Sequence, residues 1–252
     1  MSVNRYFIDL AYNGTVYHGW QRQPNALSVQ ELSEEALSKL LRERISIVGA
    51  GRTDAGVHAR QMFAHFDLIT TIKDEKELVF LLNDFLPGDI TVKSINRVHP
   101  TAHARFDATS RSYEYHVATR KDPFNAPFHY YLKNKPDIDL MNEAAKFLLS
   151  YEDFQCFSRS NTDVKTFLCN ITSAEWNVEG SSLVFSINAN RFLRNMVRAI
   201  VGTLIEIGLK KRKVEDMERV IKSKDRSQAG FSVPAHGLFL TDIQYPSNIF
   251  ID

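Results

Sequence analysis

The order of strand-like and helix-like segments in the first hundred residues is the feature that most constrains the fold. Residues 5–12 alternate apolar side chains between two faces, as a half-buried strand does, and Asn13-Gly14 predicts the turn that follows. The whole pattern predicts a strand, helix, strand, strand, helix and strand at residues 5–12, 29–41, 45–48, 62–68, 75–86 and 90–98. This order is typical of the split β-α-β, ferredoxin-like unit, in which an antiparallel sheet carries helices on one face.

The second half of the chain repeats this order loosely, without obvious residue identity. Strands are predicted at residues 110–118, 171–178, 183–188 and 238–245, and helices at 140–149, 192–209 and 214–222. Ser28, followed by Glu31, and Asp139 are the predicted helix caps. We therefore predict an α/β chain of the α+β type with two ferredoxin-like, RRM-like halves. The N-terminal domain spans 1–104 and carries a glycine-rich loop at 49–59, and the C-terminal α/β domain spans 105–252.

Composition argues against several classes of protein. The 252 residues include 31 basic and 30 acidic side chains, so a nucleic-acid site must come from local clustering of cations rather than from net charge. With two cysteines and no Cys-x-x-Cys pattern, neither a zinc site nor a disulfide framework is expected. The start has no apolar signal-peptide core and the chain has no run of eighteen apolar residues, so we expect a cytoplasmic protein.

The glycine-rich loop at 49–59 is the strongest candidate for chemistry. Its glycines allow a positive φ or a close approach to a ligand, and Asp54 lies between Arg52 and His58 in the sequence. A carboxylate on a tight loop beside a cation has the properties of a nucleophile or an acid/base group. The loop matches neither the dinucleotide-binding fingerprint nor the P-loop. The alternative is a turn in which Asp54 caps its own backbone.

A second cluster, at residues 12–23, mixes aromatic, basic and amide side chains. Such a mixture suits stacking on bases and contact with phosphates. Gln21 and Arg22 are its candidate RNA-binding residues. The alternative is an ordinary loop at a strand end, with Trp20 anchored in the core.

A third cluster, at residues 105–115, opens the second half of the chain. Arg105 and Arg111 are candidates for contact with phosphates. Tyr113 is a candidate to stack on a base or to transfer a proton. The alternative is a strand in which Tyr113 and Tyr115 both face the core.

A fourth cluster contains three arginines at residues 190–202. Arg191, Arg194 and Arg198 follow one another at spacings of three and four, which predicts that they share one face of the helix at 192–209. Arg198 is the most embedded among apolar neighbours and is expected to pair with a carboxylate, because an unpaired buried charge is very costly. Arg191 and Arg194 are candidates for phosphate contact, and the alternative is a solvated basic face.

Together these segments resemble the bacterial tRNA pseudouridine synthase A family. The motifs occur in family order across nearly the whole chain: Tyr12-Asn13-Gly14 with Gly19-Trp20-Gln21, the segment 51–59, Phe106-Asp107-Ala108-Thr109 with Tyr113, the segment 192–198 with Val201-Gly202, and Pro234-Ala235-His236-Gly237-Leu238. The segment 51–59 is highly specific, and the other motifs are strong jointly. The resemblance favours a catalytic Asp54 over the capping turn.

The resemblance implies that the chain converts uridine to pseudouridine in the anticodon stem-loop of tRNA, at tRNA positions 38–40. It also implies a homodimer of two-domain subunits, a central basic cleft between the domains, and neither a cofactor nor a metal. A base must leave its stack before an enzyme can reach it, so an inserting side chain and an aromatic platform are expected.

The resemblance also implies roles for four residues. Asp54 matches the catalytic aspartate, and Arg198 matches the arginine that pairs with it and is expected to keep that carboxyl ionised. Tyr113 matches the tyrosine that stacks on the target base, and Arg52 matches the residue implicated in flipping the target nucleotide. The chain departs from the usual family pattern at three positions outside these roles: Asn13, Arg191 and Asn195.

Two other functions compete with this interpretation. A non-catalytic RNA-binding module on the same scaffold would have no reason to keep a carboxylate at Asp54. A hydrolase using Asp54 with His58 ranks last, because no motif in the sequence identifies a second catalytic carboxylate or a nucleophile–base set.

Overall fold

The computed structural model describes residues 3–159 and 165–251. These residues form two compact units, one containing the described residues up to Thr109 together with those from Leu240 onward, and the other containing those from Ser110 to Phe239. The predicted domain boundary fell at 104/105 and assigned the end of the chain to the second half. In the structure the boundary lies between Thr109 and Ser110, five residues later. Most of the last strand belongs to the first unit rather than to the second.

The first unit has the predicted order of elements. It contains β1 (Asn4–Tyr12), α1 (Val29–Leu41), β2 (Val48–Gly49), β3 (His58–Leu68), α2 (Glu75–Phe85) and β4 (Ile90–Val98). The strands follow the order β4-β1-β3-β2 and each pair is antiparallel. This is the ferredoxin-like arrangement that the sequence predicts.

The core of the first unit lies between the sheet and its two helices. Tyr6 of β1 stacks on Phe66 of β3 with ring centroids 5.7 Å apart, and Leu37 of α1 is fully buried. Asn83 of α2 fixes that helix to the sheet, because its side chain donates to the carbonyl of Val92 at 2.9 Å and accepts the amide of the same residue at 2.7 Å. The bonds also satisfy backbone groups of the outer strand β4.

The strand predicted at 45–48 is wrong over most of its length, because β2 contains only Val48 and Gly49. The buried residues Ile45 and Ile47 hydrogen-bond to side chains of α1 instead of to a neighbouring strand. The amide of Ile47 donates to the Glu34 carboxylate at 3.0 Å, and the amide of Ile45 donates to Ser38 Oγ at 2.8 Å. The apolar pattern at residues 45–48 therefore predicts correctly that Ile45 and Ile47 are buried, but it does not predict which groups accept their backbone amides. β3 also begins at His58, four residues before the predicted start.

The second unit repeats the order of the first. It contains β5 (Ser110–Ala118), β6 (Tyr130–Tyr131), α3 (Ile138–Ala145), β7 (Ile171–Glu179), β8 (Ser182–Ala189), α4 (Met196–Gly208) and α5 (Asp216–Ser223), and β9 (Leu238–Gln244) leads back to the first unit. The order β5-β8-β7 is antiparallel and matches β1-β3-β2 of the first unit. The predicted pair of strands joined at 179–181 is confirmed. The cap of α3 is Asp137 rather than Asp139, because Asp137 Oδ1 accepts the amide of Leu140 at 3.3 Å.

The helix predicted at 192–209 begins four residues late, at Met196. Asn195 adopts a left-handed conformation with φ +67°, which an α-helix does not tolerate. Its side chain donates to Ser232 Oγ at 2.6 Å. Arg191 and Arg194 therefore precede the helix, and the prediction that they share a helix face with Arg198 is wrong.

Candidate active site

The loop that carries Asp54 is a hydrogen-bonded turn between β2 and β3. The amide of Ala50 donates to the carbonyl of Phe63 at 2.7 Å where the loop leaves β2, and the amide of Val57 donates to the carbonyl of Asp54 at 3.1 Å. Gly56 has φ +76°, a conformation that favours glycine and closes the turn. The Asp54 side chain is half-buried, so the loop presents a carboxylate that a ligand can reach.

The segment before α1 holds this loop from the other side. The carbonyl of Thr53 accepts the amide of Trp20 at 3.2 Å, and the Thr53 hydroxyl lies 2.8 Å from the hydroxyl of Tyr12. The amide of Gly56 donates to the carbonyl of Tyr17 at 3.3 Å. Trp20 is 2% exposed, so this side chain is anchored in the core, and the RNA-binding role of its neighbours Gln21 and Arg22 stays a prediction. Hydrogen bonds therefore hold the backbone on both sides of Asp54 before any ligand arrives.

His58 is not placed to act as an acid or base toward a substrate. It is the first residue of β3 and is 1% exposed, so solvent does not reach it. Its Nδ1 accepts the amide of Gly14 at 3.0 Å, which ties the turn after β1 to the end of the loop. This position argues against the hydrolase that would pair His58 with Asp54.

The predicted RNA-binding residues near this loop have different surroundings. Arg52 and Gln21 are exposed. Arg22 lies 3.4 Å from a carboxylate oxygen of Glu31 and 3.5 Å from one of Glu34, both on α1. Its guanidinium therefore already pairs with two acids, and a phosphate would have to compete with them. The predicted capping box is present in part, because Ser28 caps α1 while Glu31 pairs with Arg22.

Two tyrosines of β5 that share one face differ in burial. Tyr115 is fully buried, its hydroxyl donates to the carbonyl of Pro234 at 2.9 Å, and burial raises its pKa far above the usual range. Tyr113 is half-buried and meets the ring of Phe192 edge-on at 5.1 Å. The core-facing alternative therefore describes Tyr115, whereas Tyr113 keeps an accessible ring.

Arg198 lies in the first turn of α4 and is half-buried. Its Nε donates to the carbonyl of Val233 at 2.7 Å, and its own carbonyl accepts the amide of Val233 at 3.2 Å. The guanidinium is thus fixed to the segment that precedes β9. Arg198 and Tyr113 belong to the second unit and Asp54 to the first, so the pairing of Arg198 with Asp54 stays a prediction.

Four further predicted RNA-binding arginines lie at the surface or near it. Arg194 and Arg105 are exposed, whereas Arg191 and Arg111 are half-buried. Arg111 donates to the carbonyl of Asn190 at 2.7 Å, and the Arg105 guanidinium lies 5.7 Å from the ring centroid of Phe106. Their roles stay predictions.

Sequence reasoning missed the segment 229–234 as a support for Arg198. The amide of Gly230 donates to Thr203 Oγ1 on α4 at 2.9 Å, and Arg226 donates to Ser232 Oγ at 2.9 Å. A Cβ added to Gly202 of α4 would lie 1.8 Å from the carbonyl oxygen of Phe231, so the two backbones touch there. Gly202 and Gly230 are the residues of the sequence that could have indicated this close approach.

Neither cysteine offers a reactive thiolate at neutral pH. Cys156 and Cys169 are buried free thiols, and burial raises their pKa values to about 12 and about 11. In the part of the chain that the structure describes, no group of three metal-ligating side chains is placed to hold a metal ion. Within the same residues, no helix is long and apolar enough to cross a membrane.

Comparison with known proteins assigns the chain to a family. A family model described as tRNA pseudouridine synthase matches residues 10–107 and 144–246. The chain is 54% identical over 248 residues to "tRNA pseudouridine synthase A" of Parabacteroides distasonis, with 98% of each chain covered. It is 52% identical over 251 residues to the protein of the same name from Bacteroides fragilis, with 99% of this chain and 100% of the relative covered.

A more distant relative gives the same result. The chain is 38% identical over 242 residues to "tRNA pseudouridine synthase A 2" of Clostridium tetani, with 94% of this chain and 97% of the relative covered. These matches extend over both units and include the loop that carries Asp54. The chain belongs to the tRNA pseudouridine synthase A family.

Proposed function

We propose that the chain is an isomerase that converts uridine to pseudouridine in the anticodon stem-loop of tRNA, at tRNA positions 38–40, and that it acts as a cytoplasmic homodimer. The observation that carries the proposal is Asp54. It is a half-buried carboxylate on a turn held by hydrogen bonds, in a chain about half identical to relatives named tRNA pseudouridine synthase A.

The reaction needs one well-placed carboxylate. It breaks the N-glycosidic bond, rotates the uracil and joins C5 to C1′, with no net change in oxidation state. A carboxylate serves this chemistry either by attacking C6 of the ring or by assisting cleavage at the sugar. Because hydrogen bonds at Thr53 and Gly56 fix the backbone beside Asp54, little reorganisation is needed when the base arrives.

The remaining roles in the proposal follow the family resemblance. Arg52 inserts where the target nucleotide leaves its stack. Its side chain is exposed, and the residue lies on a loop rather than in a helix or strand. Tyr113 stacks on the flipped uracil with its accessible ring. Arg198 pairs with Asp54 and holds that carboxylate in place, because a guanidinium donates charge-assisted hydrogen bonds in a fixed geometry.

The proposed RNA surface draws on both units. Arginines contact phosphates well because a guanidinium donates several hydrogen bonds in a fixed plane. The arginines proposed to contact the RNA in this way are Arg22, Arg52, Arg105, Arg111, Arg191 and Arg194. The proposed surface also includes the side-chain amide of Gln21 and the stacking ring of Tyr113.

Tritium release from tRNA labelled at C5 of uridine tests the activity, because C5 loses its hydrogen when it bonds to C1′. We expect release from tRNAs whose single labelled uridine is at position 38, 39 or 40, and none when it is elsewhere. Tritium release only from uridines at other positions would contradict the proposal that the protein modifies the anticodon stem-loop. Tight tRNA binding with no release from any position would favour the non-catalytic RNA-binding module.

Sedimentation equilibrium tests the assembly. We expect twice the chain mass of 28.8 kDa. A single chain mass at micromolar concentration, with full activity, would contradict the homodimer.

A further inference from the structure

Phe106 is a large apolar side chain that the fold leaves in water. It is 73% exposed and lies on a turn after β4, in the first unit. A ring in this position contributes little to the core, because the hydrophobic gain depends on the apolar area removed from solvent. A single exposed ring is common on protein surfaces, so its neighbours decide whether it has a role in recognition.

The turn that carries Phe106 is held by its own hydrogen bonds. The amide of His103 donates to Asp107 Oδ2 at 2.7 Å, and the amides of Phe106 and Asp107 donate to the carbonyl of His103 at 3.1 and 3.0 Å. The Nδ1 of His103 accepts the amide of Arg105 at 3.1 Å. The position of Phe106 is therefore fixed, although its ring is exposed.

Two histidines support the ring from beneath. The rings of His103 and Phe106 are 4.2 Å apart between centroids and inclined by 37°, and the rings of His65 and His103 are 4.6 Å apart and edge-on. His65 belongs to β3, and its Nδ1 accepts the amide of Ala104 at 3.1 Å. The column of rings connects Phe106 to the centre of the sheet.

The guanidinium of Arg105 lies over the same ring, within the range of a cation–π contact. The guanidinium carbon of Arg105 is 5.7 Å from the centroid of Phe106, and both side chains are exposed. A fixed aromatic face next to a guanidinium is the arrangement by which proteins hold an unstacked base together with its phosphate. The Arg105–Phe106 pair therefore fits a single-stranded nucleotide better than an apolar protein segment.

We propose that Phe106, supported by His103 and flanked by Arg105, is a stacking platform for an unpaired base of the substrate RNA. This inference rests on the proposed function. His65 lies seven residues along β3 from His58, which follows the loop of Asp54, and this separation is roughly 23 Å in a strand. Because the platform rests on the His65 end of β3 and the loop of Asp54 joins the His58 end, we expect it to hold a nucleotide other than the one that reacts at Asp54.

Equilibrium binding of unlabelled tRNA to three variants at Phe106 tests the platform. Phe106→Ala is expected to raise the Kd about 5- to 150-fold, the range found when a base-stacking ring is removed. Phe106→Tyr is expected to bind within about 2-fold of the parent protein, because it keeps the aromatic face. Phe106→Leu keeps the apolar volume without that face and is expected to bind nearly as weakly as Phe106→Ala.

Phe80 of α2 provides the matched control. It belongs to the same unit and is 71% exposed, and among the described residues no ring or cation packs on it. Phe80→Ala is expected to leave the tRNA Kd and the melting temperature unchanged. Equal affinity of Phe106→Ala and Phe80→Ala would overturn the platform, as would full binding by Phe106→Leu.

The platform and the proposed function fail separately. If the parent protein releases tritium but Phe106→Ala binds tRNA normally, the isomerase stands and the platform does not. If no tritium is released but Phe106→Ala still weakens RNA binding, the platform stands and the isomerase does not. If Phe106→Ala changes the sedimentation mass and leaves RNA affinity intact, Phe106 contacts another protein chain and the platform is wrong.

Discussion

At the residue scale, the surroundings of each titratable side chain separate reactive groups from structural ones. Asp54 is half-buried on its turn, whereas His58 is buried with its Nδ1 occupied by the amide of Gly14. His65 is a second structural histidine of β3. It is 5% exposed, and burial lowers its pKa to about 4, with a smaller contribution from the positive charge of Arg5. It is therefore neutral in the folded protein at physiological pH.

His65 gives the protein a pH-dependent stability of predictable sign. In the unfolded chain a histidine takes up a proton below its usual pKa of about 6.5, whereas folded His65 does so only near pH 4. The contribution of His65 to the free energy of unfolding is therefore fully present above about pH 6.5. It is lost progressively as the pH drops toward 4. We expect this loss to be at most about 3 kcal/mol, measured by urea unfolding at a series of pH values.

His65→Asn isolates this contribution, because its side-chain oxygen can still accept the amide of Ala104 but does not titrate. The variant is expected to lose less stability than the parent protein between pH 6.5 and 4. Identical pH dependence of the two proteins would show that His65 does not titrate differently in the folded and unfolded states.

At the element scale, the position of Arg198 depends on a contact between α4 and the segment 229–234. The sequence predicts α4 from its apolar period but places its start too early, because the left-handed Asn195 is stabilised by Ser232, far away in the sequence. The same limit explains residues 45–47, whose partners are side chains of α1. Periodicity reports which residues are buried and does not report which distant group satisfies a backbone amide.

Gly202→Ala tests the contact at α4. The added Cβ would lie 1.8 Å from the carbonyl oxygen of Phe231, a backbone atom that can move only with its whole segment. Overpacking typically costs about 1–3 kcal/mol, and a contact this close is expected to reach the upper end, which corresponds to a fall in Tm of roughly 6–12 °C. The segment also provides the Val233 carbonyl to Arg198, so activity is expected to fall with stability.

Gly88→Ala is the matched control, because nothing lies within 4 Å of its added Cβ. Its Tm is expected to stay within about 2 °C of the parent value. If Gly202→Ala melts at the same temperature as Gly88→Ala, the close approach of the segment to α4 is absent in solution.

At the scale of the whole molecule, net charge says little about the partner. The chain carries 31 basic and 30 acidic residues, yet the proposed RNA contacts include six arginines distributed over both units. Several acids are already engaged, as Asp67 is by Arg5 and Glu206 by Arg212. The local excess of cations at the proposed surface, rather than the sum of charges, is expected to attract tRNA.

Binding of tRNA is therefore predicted to weaken steeply with salt. Each contacted phosphate releases counterions, and with about five contacts the Kd is expected to rise roughly 100- to 500-fold between 50 and 200 mM salt. Filter binding or fluorescence anisotropy across this range measures the slope. A flat response would contradict a phosphate-contacting surface, whatever the activity of the protein.

The extent to which the sequence predicts the molecule also depends on scale. The order of elements and the ferredoxin-like strand order follow from local periodicity and turn residues, and the structure confirms both. Asp54 is identifiable from the sequence as a candidate catalytic residue, because it lies close to two glycines and an arginine in one short segment. The packing beneath Phe106 was not predictable, because the ring of His103 that supports it rests in turn on His65, a residue 41 positions before Phe106 in the chain.

The central claim is that the carboxylate of Asp54, and not the loop around it, carries the reaction. The most direct test is tritium release by Asp54→Asn beside the parent protein, with the tRNA Kd of both measured at the same salt concentration. We expect the variant to bind tRNA with similar affinity and to release no tritium above background, because the amide keeps the shape of the side chain but is neither a nucleophile nor a base. Release at the parent rate by Asp54→Asn would contradict the account.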